Sequence, residues 1–470
     1  MSELWRHSAI DLAGQIARRE VSSAEVVEAH LQRLDDVNPK LNAVVRVLAD
    51  EARAGAAEAD RQVAAGDPLG PLHGVPISVK ENIDMAGLPT TQGIPALANM
   101  IAPVDAPVVE RMRAAGAIPI GRTNLPDFAF RVHTDSSLHG LTRNPWAYDR
   151  TTAGSSGGDA SAIAAGIVPL GLGNDIGGSL RNPANACGIA SIRPSFGRVP
   201  DAGSTSPADR PIASQLMAVQ GPMARRVADV RLGLRILSGA HPRDPWSLDV
   251  PFEGPASDRP IRVAVAASPP GEATDPVVAA AARAAADSLA NAGYDVTEAC
   301  PPRYEEAVEV WNKMIVWDFD AALDVMLPLM GAEGRAFLQA TRDATGRPPS
   351  AVAISAMLAR RDAIAREWSL FMADHPLLLT PTWTQLPFRH GWDAAGPENA
   401  VGTLNLMRPV TTANLLGLPS ACVPAAYDEA SGLPIGVLLT GRRMRDDQCL
   451  DAAEAIEARF SLPTPIDPRW

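Results

Sequence analysis

A chain of 470 residues with 46% apolar and 20% charged content can bury a large core and is not the composition of a disordered protein. Its net charge of −12 disfavours nucleic acid and anionic membrane surfaces as partners. Cys187, Cys300, Cys422 and Cys449 are scattered without a C-x-x-C pair, which reads as reduced thiols and neither a disulfide frame nor a zinc site. The start, MSELWRHSAIDLAG, has no basic segment followed by an apolar one, and no apolar run reaches the roughly 18 residues of a membrane span. A soluble, cytoplasmic protein is expected.

In chain order, Ser22 and Glu25 form a capping box, and Val26, Val27, His30, Leu31 and Leu34 follow at helical spacing. A strand is expected at Ala43–Leu48 and a second helix from there to about Ala65. Strand, loop and helix then alternate: strand Val75–Lys80, helix Val104–Ala115, strand Ile118–Gly121, helix Asp159–Ala165, strand Pro169–Gly173. Residues 240–260, rich in Pro and Asp, read as a surface connection. Beyond them come strand Ile261–Ala266, helix Asp275–Asn291 and strand Tyr294–Glu298, then a long helical block over about 305–373. Strands near Leu377–Thr380, Ser420–Val423 and Ile435–Thr440 and a closing helix from Asp446 to about Arg459 complete the chain. The pattern predicts an α/β fold: a mixed, mainly parallel central sheet covered by helices on both sides. With the same texture on both sides of 240–260, one domain over 1–470 is expected: N-terminal helices at about 8–66, a core at about 70–200 and a variable region at about 300–400.

The most unusual composition lies at 151–188, in two clusters: Gly154-Ser155-Ser156-Gly157-Gly158 and Asp175-Ile176-Gly177-Gly178-Ser179. Glycines allow close backbone approach, and successive amides can form a nest for negative charge. The second cluster so places backbone donors beside a serine hydroxyl, as acyl transfer requires. A plain turn is the competing reading. Serine needs a base to become a nucleophile, and none of the eight histidines sits in a segment that marks it as catalytic. Lys80 ends the run HGVPISVK, where Val75, Ile77 and Val79 suggest burial. A buried lysine loses proton affinity and can act as a base; a solvated lysine at a strand end is the alternative.

The runs GVPISVKENIDMAGLPTTQG, GRTNLPDFAF, GSSGGDASAIAAGIVPLGLGNDIGGSLRNPANACG and NLLGLPSACVP…GLPIGVLLTGRR together resemble the amidase signature family, in order and in spacing, from about residue 8 to 460. The resemblance implies a Lys80–Ser155–Ser179 triad: Ser179 as nucleophile, Ser155 as proton relay after a cis Gly154–Ser155 peptide, and Lys80 as base. It implies an oxyanion hole from the amides of Ile176, Gly177, Gly178 and Ser179. Asp175 and Arg181 are expected to fix the loop, Ser156 to support the triad by hydrogen bonding, and Asn124 and Asp127 to lie in a segment lining the site. Two departures are Asn174, where Ser or Thr is common, and Arg193, where Lys is common. Neither is expected to touch the triad.

Three other readings compete. Gly154–Gly158 fits a G-x-S-x-G elbow with Ser156 as nucleophile, but that motif must follow a strand, and NPWAYDRTTA reads as loop. A glutamine-hydrolysing subunit of a transfer-RNA amidotransferase would carry an acidic residue where Met407 stands. A non-catalytic binding protein would not retain all three triad residues. The resemblance implies a small-molecule amide as substrate, and the same machinery suits esters and urethanes. The stretches 304–323 and 380–393, rich in Trp, Phe and Met, suggest an apolar or aryl substrate pocket, or simply core. No metal or cofactor motif is present; a monomer or homodimer without nucleic-acid or membrane partners is expected.

Overall fold

The computed structural model describes residues 3–205, 210–256 and 260–470; the first two residues and part of the expected 240–260 connection lie outside them. Among the described residues there are thirteen strands: β1 (Val44–Val47), β2 (Pro76–Lys80), β3 (Ile118–Thr123), β4 (Asp135–Ser136), β5 (Gly140–Leu141), β6 (Leu170–Asp175), β7 (Ala190–Arg193), β8 (Val219–Ala224), β9 (Arg262–Val265), β10 (Asp295–Glu298), β11 (Leu377–Pro381), β12 (Ser420–Asp428) and β13 (Leu433–Gly441). β4 and β5 pair with each other. The other eleven form one sheet in the order β1-β3-β2-β6-β8-β7-β12-β13-β11-β9-β10.

The sheet is mixed, as expected, with helices around it. Parallel pairing lies on its flanks, β3–β2–β6 and β11–β9–β10. The centre, from β6 through β8, β7, β12 and β13 to β11, runs antiparallel. β7 and β8 have no counterpart in the sequence reading. The run VQGPMA of β8 carries a Gly and a Pro that argue against a strand, yet all six of its residues are buried between two neighbours.

Strand periodicity divides the core into two apolar layers. Leu377, Leu379, Val263, Val265, Val437 and Leu439 join one layer, while the alternate Leu378, Ala264 and Leu438 join the other. On β2, Ile77 and Val79 point into the first layer. Ser78 and Lys80 therefore point to the opposite face, toward the helix Gly157–Ala164.

Local signals set most element ends. The Ser22–Glu25 capping box is formed at the start of helix Ser23–Leu41, and Asp275 caps helix Pro276–Asn291 through the Val277 amide. The expected 305–373 block is three helices, Tyr304–Met326, Ala332–Thr345 and Ala351–Asp374. They are interrupted at a short 3-10 turn with Pro328 and near Gly346.

Candidate active site

Lys80 ends β2 with its side chain fully buried. Its Nζ lies 2.7 Å from Ser155 Oγ and 2.7 Å from Asn174 Oδ1. Burial pulls its pKa from 10.5 down to about 7, against the opposing fields of Asp159 and Asp175. Asp159, on the helix Gly157–Ala164, accepts a hydrogen bond from Ser78 at 2.9 Å. Burial raises its pKa, with the Thr123 and Ser78 hydroxyls and Lys80 working against the shift.

Ser155 follows a cis peptide with Gly154. The two serine clusters are joined through the main chain: the Ser156 amide donates to the Ser179 carbonyl at 3.2 Å. Asn182 Nδ2 donates to the Gly177 carbonyl at 3.1 Å and reaches the Gly154 carbonyl at 3.4 Å. Ser179 Oγ makes no hydrogen bond among the described residues, and its side chain opens into a cavity.

The loop before Ser179 is held by Asp175. Burial opposes ionisation, yet Arg181, Arg193 and Asn414 hold this carboxyl well below the usual range. Arg181 donates to both carboxylate oxygens at 3.0 and 3.1 Å, with both side chains fully buried. Asp175 also accepts from the amides of Gly178 (2.8 Å) and Leu180 (3.2 Å) and from Asn414 Nδ2 (2.8 Å). The Gly178 amide is thus already engaged. The amides of Ile176, Gly177 and Ser179 have no acceptor among the described residues. Gly178 has φ +90°, and a Cβ on Gly177 would lie 2.5 Å from the Trp311 ring. Both positions so require glycine.

The cavity, about 80 Å³, is bounded by Ile176, Gly177 and Ser179 on the loop side. Helix Tyr304–Met326 contributes Trp311, Asn312, Ile315, Val316, Phe319 and Leu323; helix Ala332–Thr345 contributes Phe337, Leu338 and Thr341. Residues 129–132, Leu404 and Met407 close it. Trp311 is tethered by its Nε1 donating to the Ile176 carbonyl at 3.1 Å, and Phe319 packs edge-on to Phe130 with centroids 4.7 Å apart. The charged side chain in the wall, Arg131, is consumed by Asp393 at 2.7 and 2.9 Å and by Glu333 at 2.7 Å. Thr341 donates to the Phe337 carbonyl, whereas the Asn312 amide has no partner among the described residues.

Several expected site residues do something other than expected. Asn174 touches Lys80 directly. Ser156 does not support the triad through its hydroxyl, which is buried without a partner among the described residues, packed against Gly173; its amide makes the link instead. Asn124 lies behind the site, donating to the Gly140 carbonyl and Thr142, and Asp127 ties Ser137 to the Gly331 amide. Neither lines the cavity; the residues just after them do. Arg193 donates to the carbonyls of Pro194, Leu418 and Met217. Of the two aromatic stretches, 304–323 walls the cavity and 380–393 does not: Trp383 is buried core, donating to Asn182 Oδ1 at 2.9 Å and stacked on Phe388. Sequence reasoning missed Asn82, Asn182 and Asn414. Asn182, three residues after Ser179, was the available signal; Asn82 and Asn414 lie far from both Gly-Ser clusters in the chain.

No strand runs into Ser156; residues 142–156 are irregular, so the elbow geometry is absent. Among the described residues there is no His, Cys, Asp and Glu group able to hold a metal, and no helix long and apolar enough to cross a membrane.

The site thus holds a buried lysine against one serine and a second serine that opens from a glycine loop into an apolar cavity. The amidase family model matches residues 25–450, and the chain belongs to that family, the amidase signature enzymes. It is an amidohydrolase acting on carbon–nitrogen bonds. An indoleacetamide hydrolase of Bradyrhizobium diazoefficiens is 44% identical over 460 residues, covering 98% of this chain and 87% of that protein. A glutamyl-tRNA(Gln) amidotransferase chain of Synechococcus sp. is 34% identical, covering 94% of each. A bacterial aryl acylamidase structure of the same family superposes with a TM-score of 0.83 at 29% identity, covering 98% of this chain and 97% of that one.

Proposed function

We propose that this amidase hydrolyses a small, neutral aryl or arylalkyl amide, of which indoleacetamide is the type, through Ser179, Ser155 and Lys80. The observation that carries the reading is the cavity at Ser179: its wall is apolar and aromatic, and the charged side chain in it, Arg131, is already paired on two carboxylates. The indoleacetamide hydrolase relative points the same way. A glutamine-hydrolysing role needs a free charge to hold an α-carboxylate or ammonium, and the cavity wall offers none among the described residues.

In the proposed reaction Ser179 Oγ attacks the amide carbon as its proton passes to Ser155 Oγ, and the Ser155 proton passes to neutral Lys80. The oxyanion is received by the amides of Ile176, Gly177 and Ser179. Gly178 serves by its positive φ and its bond to Asp175, which aim the neighbouring amides. Collapse breaks the C–N bond, the lysine proton returns through Ser155 to the nitrogen, and ammonia leaves. Water then attacks the acyl ester, giving up a proton through the same relay, and Ser179 departs as the alcohol. The relay requires a Ser155–Ser179 hydrogen bond that tightens with substrate in place, as catalytic contacts commonly do. Esters and aryl carbamates present the same acyl carbon to this machinery. We read the continuous sheet from residue 44 to 441 as one catalytic unit.

Ammonia release from indoleacetamide, phenylacetamide and glutamine tests the proposal. A kcat/KM at least 100-fold higher for the aryl amides is expected from the apolar area they bury (about 25 cal/mol per Å²). A preference for glutamine sinks it.

A further inference from the structure

We infer that Asn82 and Asn174 form an amide lock that keeps the lone pair of Lys80 free for Ser155, making both asparagines positioning residues for proton transfer. The inference rests on Lys80 being the base, as proposed above.

The lock spans two strands. Asn174 is the penultimate residue of β6, and Asn82 lies in the turn just after β2. Parallel pairing, with Val79 opposite Leu172, brings the ends of these strands together. Asn174 Oδ1 lies 2.7 Å from Lys80 Nζ, and Asn174 Nδ2 donates to Asn82 Oδ1 at 2.9 Å.

A neutral lysine amine has two N–H bonds and one lone pair, and only the lone pair can take the serine proton. A carboxamide oxygen carries no hydrogen and can only accept. Its contact with Nζ therefore occupies an N–H and leaves the lone pair unblocked. Turned by 180°, the same side chain would point its NH2 at Nζ, donate into the lone pair and disable the base. With Asn82 as it stands that turn sets two carbonyl oxygens against each other, so both amides would have to turn together. A hydroxyl at position 174 could donate to Nζ or accept from it; the amide as held here turns only an acceptor toward Nζ.

The amide is also uncharged, which matters because Lys80 already has charged neighbours on several sides. Asp159 faces it from helix Gly157–Ala164 and Asp175 from the end of β6. Arg122 on β3 donates through Nη2 to the Lys80 carbonyl. A third carboxylate at position 174 would hold the ammonium form.

The test is the rate at which a fluorophosphonate labels Ser179, followed from pH 5.5 to 9.5 with kcat/KM for indoleacetamide in parallel. Asn174→Asp, nearly isosteric, is expected to move the acidic limb upward by about 1–3 pH units, the range for an opposite charge at this distance, with the rate recovering at high pH. Asn82→Leu and Asn174→Leu are expected to lower the plateau about tenfold, part of what a general base contributes, with KM unchanged. Asn82→Asp, which keeps the acceptor, is expected to restore the plateau. An unmoved limb in Asn174→Asp, or a wild-type plateau in both Leu variants, overturns the lock. Should a Leu variant not fold, the isosteric Asp variants still decide. Wild-type labelling by Lys80→Ala removes Lys80 as the base and the lock with it. A dead Lys80→Ala beside unaffected asparagine variants removes the lock alone.

Discussion

The loop carrying Ser179 and the helices facing it enclose one cavity with different materials. On the loop side, Asp175 alone gathers the amides of Gly178 and Leu180, both arms of Arg181 and the Asn414 amide. Each bond has a direction, so the positions of Ser179 and its neighbouring amides are over-determined. On the helix side, from Trp311 to Leu323 and from Phe337 to Thr341, the wall is mostly apolar contact. Contact area has no preferred direction, and one side chain can change without unmaking the next. In the proposed reaction the first side holds the chemistry and the second the selectivity.

Substitutions can break that division at graded levels. Ser179→Ala and Lys80→Ala are each expected to lower kcat/KM at least about 10⁴-fold, with the double variant little worse, because the residues act as a unit. Additive losses in that cycle count against a shared relay. Asp175→Ala leaves Arg181 buried without its partner, a loss of about 3–5 kcal/mol in urea unfolding. A loss below about 1 kcal/mol shows the loop is held elsewhere.

The pH profile comes next. Because burial lowers the Lys80 pKa to about 7, the base is neutral above that value and protonated below it. The wild-type kcat/KM is expected to fall about tenfold per unit below pH 7, and a flat profile from 5 to 7 contradicts Lys80 as base. On the helix side, Phe319→Ala is expected to raise KM for an aryl amide about tenfold, the worth of a lost aromatic contact, without moving the acidic limb. A shifted limb means that the two sides are coupled. The smallest effect is expected from Asn312→Leu. It removes the unpartnered polar group of the wall and should lower preference for a ring N–H over an isosteric ring CH by about threefold, one weak hydrogen bond. An unchanged ratio leaves selectivity to shape alone.

How much of this was legible beforehand depended on range. Burial of Lys80 followed from Val75, Ile77 and Val79 alternating along one strand, and the capping box at Ser22 from residues three apart. The Asn174–Lys80 contact depends on how β2 and β6 pair, which no local pattern states. The capture of the Gly178 amide by Asp175 depends on the path of a turn that a Gly-Gly pair permits but does not specify. β7 and β8 are defined by neighbours distant in the chain, and Gly221 and Pro222 mask β8 locally. The aromatic stretches 304–323 and 380–393 looked alike because composition does not say which apolar residue faces a void and which faces another side chain.

The place of β8 between β6 and β7 also bears on synthesis of the chain. Until residue 224 has emerged, β6 has β2 on one side and an open row of amides and carbonyls on the other. Open strand edges template pairing between chains, and N-terminal segments fold first on the ribosome. A nascent chain stopped between Ser179 and β8 would thus present the open edge of β6 to other nascent chains. Once β8 pairs with it, from Leu170 opposite Ala224 to Asp175 opposite Val219, that edge is closed.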